Sequence, residues 1–81
     1  MFLFDTMIFV NGTAAFYNVS KDGIMYIWEP APGKNHTDSL PVFMVHHEGN
    51  NWIGENSDHT PIDQDIIAQA VEDLKGYYFN K

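Results

Sequence analysis

Glycine-containing turns at Asn11-Gly12, Asp22-Gly23 and Glu48-Gly49 cut the chain into short apolar runs, and one capped amphipathic segment follows them. That order constrains the fold more than any single motif does. Short runs rich in Phe, Tyr, Ile, Val and Trp, bounded by turn residues, read as antiparallel strands, while a 3.6-residue apolar period reads as a helix. The expectation is one α+β domain over residues 1–81. It is an antiparallel β-meander of four to five strands with one C-terminal α-helix packed on one face. At 81 residues the chain is below the usual size for two domains.

The first strand is expected over residues 2–10 and the second over Thr13–Val19. Asn11-Gly12 between them suits a type I′ turn, which needs positive φ at both central residues. That turn sets Val10 opposite Thr13, Ile8 opposite Ala15 and Thr6 opposite Tyr17. Met7, Phe9 and Phe16 then point to one side, and Phe4, Ile8, Val10 and Tyr17 to the other. Ile24–Glu29 is the expected third strand, Val42–His47 the fourth and Trp52–Glu55 a short fifth. Pro30-Ala31-Pro32-Gly33 halts pairing after the third, because proline donates nothing to a ladder. A polar loop then runs to Leu40.

The helix is expected over residues 61–75. Thr60 is its candidate cap, Pro61 suits the first helical position, and Asp63 falls three residues after the cap as in a capping box. Ile62, Ile66, Ile67, Ala70, Val71, Leu74 and Tyr77 share one half of the helical wheel. Gln64, Asp65, Gln69 and Glu72 share the other, and Gly76 is the expected C-terminal cap. One helix covers one sheet face, yet the strands are apolar on both. Either the sheet curls around the helix or its second face meets another subunit.

A domain this small buries only about 60% of its unfolded surface, and a 44% hydrophobic, 15% aromatic composition supplies what core it has. Without cysteine there is no disulfide, thiolate metal site or thiol catalysis. Eleven Asp and Glu face four Lys and no Arg, a net charge of −7. That balance argues against direct binding to nucleic acid or anionic membrane. It leaves a basic or apolar protein surface as the kind of partner expected, although net charge serves solubility first. The apolar start Met1–Phe4 lacks the basic region and cleavage site of a signal peptide, so a cytoplasmic location is expected. The Asn-x-Ser/Thr sequons at Asn11, Asn18 and Asn35 are read as coincidental.

His46-His47-Glu48 and Asp58-His59 hold the metal-ligand residue types. His46 and His47 are adjacent on a strand and point to opposite faces, so a site would need one of them with His59. Ordinary polar positions are the favoured reading, and no metal or other cofactor is expected. Glu29 and Glu55 at strand ends carry no catalytic signature, and neither a phosphate-binding glycine motif nor a nucleophile elbow is present. Trp28 and Trp52 are read as core before anchor positions. The functional expectation is a small acidic non-enzymatic interaction module that self-associates as a homodimer. The runner-up is a metal- or small-ligand-binding domain using His46 or His47 with His59, and an acidic mimic of DNA is a third class.

Overall fold

The computed structural model describes residues 1–35 and 40–79, so the middle of the loop expected before Leu40 lies outside the described residues. Five strands pair antiparallel in chain order: β1 (Phe2–Val10), β2 (Thr13–Asp22), β3 (Met25–Pro30), β4 (Phe43–Glu48) and β5 (Asn51–Asn56). One helix follows, α1 (Gln64–Phe79), giving the α+β meander with a C-terminal helix. Among the described residues no helix is long and apolar enough to cross a membrane.

The β1–β2 hairpin forms as its turn chemistry dictates. Asn11 and Gly12 both adopt positive φ, at 53° and 79°, and Val10, Ile8 and Thr6 pair with Thr13, Ala15 and Tyr17. The register shifts between Phe2 and Phe4. A bulge of this kind puts neighbouring residues on one side, and Leu3 and Phe4 both pack against the core. β2 continues past Val19 to Asp22, because Ser20, Lys21 and Asp22 find partners in Ile27, Tyr26 and Met25. Ile24 is consequently an exposed turn residue rather than the start of β3. Pro30 pairs with Tyr17 as the last residue of β3.

The inner face of the sheet holds the core. Trp28, Tyr17, Phe43, Ile8, Val19 and Val45 are fully buried there and pack with Ile66, Ala70 and Leu74 of the helix. Trp28 stacks on Phe43 with ring centroids 5.3 Å apart, and Tyr17 meets Phe43 edge-on at 5.5 Å. The Tyr17 hydroxyl donates to the Pro41 carbonyl at 2.8 Å. Burial pushes that phenol up to about 12. Trp28 is thus a core residue, while Trp52 is half-buried beside Tyr26.

The helix begins three residues later and ends four later than its caps suggested. Pro61 bridges to Glu55, and the Asn56 N–H donates to the Thr60 carbonyl at 2.8 Å. Residues 60 and 61 are therefore held along β5 and cannot turn into the helix. Thr60 is not the cap. Its hydroxyl and its N–H both donate to Asp58 Oδ1, at 2.6 and 3.1 Å. The first helical bonds are accepted by the Asp63 carbonyl, from the N–H groups of Ile66 and Ile67. At the other end Gly76 lies inside the helix, which continues while Tyr77 stacks on Phe4 at 5.0 Å.

The helix meets β1 and β5, the two edge strands. Laid flat, five strands at ~4.8 Å spacing would hold those edges roughly 19 Å apart, too far for a helix about 10–12 Å across to touch both. The sheet therefore curls, and the helix fills the gap between its edges. On β5 the contact depends on Gly54, where a Cβ would lie 2.8 Å from Ile67 Cγ1 and 3.1 Å from Ile62 Cδ1.

On β1 the contact is polar. Gln69, assigned to the solvent side by periodicity, uses its amide as a strand residue would. It accepts the Phe9 N–H at 2.7 Å and donates to the Phe9 carbonyl at 2.8 Å. One turn further on, Thr6 donates to Asp73 at 2.9 Å, and one turn beyond that Tyr77 reaches Phe4. Burial pushes the Asp73 carboxyl up, with the Thr6 hydrogen bond working against it. Gln69, Asp73 and Tyr77 form an i, i+4, i+8 stripe, so the helix runs antiparallel along β1.

Gly54→Ala is expected to destabilise the domain by about 1–3 kcal/mol, the usual cost of overpacking a filled contact. Chemical denaturation measures this, and an unchanged midpoint would show that α1 does not seat against β5 so closely.

Candidate functional site

The outer face of the sheet is built by the alternation of its strands, residues that cannot reach the core because their neighbours do. Cross-strand pairing arranges them in rows. Phe9 lies opposite Ala14, and Met7 opposite Phe16. The next row is Asp5, Asn18 and Glu29, and the one after it runs from Phe2 through Ser20, Ile27 and Met44 to Glu55. His46 and Ile53 pair beyond it on β4 and β5. Phe9, Met7, Phe16 and Ile53 are 53%, 43%, 42% and 41% exposed. The helix packs on the other face and reaches only the β1 edge of this one, where Phe9 and Met7 line open hollows with Ala68 and Gln69.

The chain closes its own backbone around this face. Past the end of β3, Asn35 stands in for a strand residue beside Phe16. Its Oδ1 accepts the Phe16 N–H at 2.8 Å, and its Nδ2 donates to the Phe16 and Ala31 carbonyls at 3.1 and 3.2 Å. Asn35 thus has a structural task that the sequence pattern did not reveal. Only the offset of β2 beyond β3 could have signalled it, since that offset leaves Phe16 without a strand partner on one side.

The candidate ligand residues are dispersed. His46 and His47 fall on opposite faces, as adjacent strand residues must. His46 Nε2 lies 3.4 Å from Glu48 Oε2 on the outer face, while His47 lies against Trp52 with ring centroids 4.7 Å apart. His59, at positive φ in the turn before the helix, has Nδ1 3.2 Å from Glu55 Oε1. Two separate two-group pairs result. Among the described residues no three His, Cys, Asp or Glu side chains gather where one ion could bind them.

Shifted ionisations elsewhere have local structural causes. The two hydrogen bonds from Thr60 hold the Asp58 carboxyl below the usual carboxylate range. The Tyr78 phenol is raised chiefly by its hydrogen bond with Tyr26, 3.0 Å between oxygens. An open hollow of about 620 Å³ lies where the start of α1 faces the Asn11-Gly12 turn, with Asp63 and Asp65 among its lining. Its described lining includes no basic group and no nucleophile beside a base.

A third ligand is needed before either histidine–carboxylate pair can hold zinc firmly. Excess zinc is accordingly expected to leave the thermal unfolding curve unchanged. A rise of several degrees, read as binding to the folded state, would show that a site assembles. Compared with protein-family models, curated proteins and solved structures, the chain matches none.

Proposed function

We propose that this chain is a small acidic non-enzymatic interaction module whose working surface is the outer face of its sheet. One observation carries the reading. Met7, Phe9 and Phe16 stand exposed side by side on β1 and β2, on the face opposite the one that the helix completes. Exposed apolar surface costs roughly 25 cal/mol per Å² to hydrate, and contiguous patches of it on a folded domain mark interaction sites. The net charge of −7 selects among partners, disfavouring nucleic acid and anionic membrane and favouring protein surfaces that are apolar or basic. A homodimer is the self-directed form of the same function.

The reading requires that these side chains contribute little to the monomer. Phe9→Thr and Phe16→Thr keep a β-favouring residue, so each is expected to cost about 1 kcal/mol or less, close to the surface range. Both should also reduce binding of an apolar fluorescent dye to the folded protein. A loss of about 3–5 kcal/mol, the cost of truncating a core Phe, would assign the rings to the monomer's own core and remove the proposal.

A further inference from the structure

We infer that the outer face receives an apolar and basic segment of a different protein, docked across β1, β2 and β3, rather than a second copy of this chain. The inference rests on the interaction reading above and names the partner's chemistry. Strand addition is hindered in cis at one place on each sheet edge. Gln69 occupies the Phe9 backbone groups on β1, and Pro61 with Thr60 lies along the end of β5.

The outer face is patterned. The apolar rows Phe9–Ala14 and Met7–Phe16 are followed two residues along the strands, about 7 Å away, by the row Asp5, Asn18 and Glu29. Asp5 and Glu29 are exposed and lie two strands apart, roughly 10 Å. Asp22, Glu48 and Glu55 add further acids at outer-face positions, and no lysine occupies an outer-face strand position. Lys21 pairs across from Tyr26 on the inner side and sits over its ring, 5.4 Å from the centroid. Lys34 approaches from the loop after β3. With Asp5, Met7, Phe16 and Ala31 it helps line an open hollow of about 240 Å³ that can take an apolar anchor.

A second copy placed on this face would set each acidic row against an acidic surface, and like charges in apposition cost affinity. A segment with Lys or Arg one or two residues from an apolar anchor reverses that sign. Its apolar side chains cover Met7, Phe9 and Phe16 while its cations reach Asp5 and Glu29.

The test uses an alternating Leu–Lys peptide as probe, with a Leu–Glu peptide beside it, followed by amide chemical shifts of the whole chain. The Leu–Lys peptide should shift Met7, Phe16 and Glu29, weaken with added salt, and bind more tightly than the Leu–Glu peptide. Asp5→Asn with Glu29→Gln should weaken it about fivefold or more, from two exposed pairs of modest worth. The equal-charge control at the far end of the sheet, Asp22→Asn with Glu48→Gln, should change it by less than about twofold, since distant charges are screened. Equal weakening by both double variants, or equal binding of the two peptides, overturns the inference by showing only diffuse charge attraction or none. A dimer in sedimentation at tens of micromolar that Phe16→Thr abolishes also overturns it, while leaving the outer face as the working surface. A core-sized stability loss in the Phe variants instead removes the reading on which it rests.

Discussion

The wedging of α1 between the two edges of the sheet is the constraint on which the other features depend. A five-stranded meander has two exposed edges and two faces, and a single helix can complete only one face. Here the sheet curls until the helix touches both edge strands, which is possible because the contacts differ in kind. On β5 the helix approaches closely because Gly54 presents no side chain to Ile67. On β1 it approaches through an amide that satisfies backbone groups, so an edge residue's polar atoms are paired rather than merely covered. Each exposed edge is a template for unwanted pairing, and this chain closes part of both with its own residues.

The meander, the hairpin register and the division of β1 and β2 into two faces were legible because they follow from period-two alternation and from one turn type. Asn11-Gly12 can form a tight reversal that sets every later pairing in that hairpin, and the observed pairs are those it requires. The helix boundaries were less legible. Thr60-Pro61 carries the local chemistry of a helix start, but a bridge to Glu55 competes for the same residues and wins. Gly76 carries the chemistry of a stop, but Tyr77 on Phe4 rewards one more turn. In both places a contact distant in sequence overrode a local preference.

The polar closures were hidden for a related reason. Gln69 and Asn35 look like solvent-facing amides, because periodicity separates apolar from polar residues without saying which polar residue meets a bare backbone. The opposite faces of His46 and His47, by contrast, followed directly from strand geometry. Gln69 shields part of the β1 edge within the monomer. The apolar rows of the outer face and the acidic row beside them are the features on which the proposed function rests.

The most direct measurement of this account is native-state hydrogen exchange at the Phe9 amide. Phe9 points its N–H away from β2 on an edge strand, where an open edge would leave it to solvent and fast exchange. With Gln69 bonded to it from a helix seated in the core, the account predicts slow exchange, comparable to the amides of Ile8 and Val10 that face β2. Exchange at the rate of an unprotected amide, with Ile8 and Val10 still slow, would contradict it. The helix would then not close β1, and the edge as well as the face would be open to a partner.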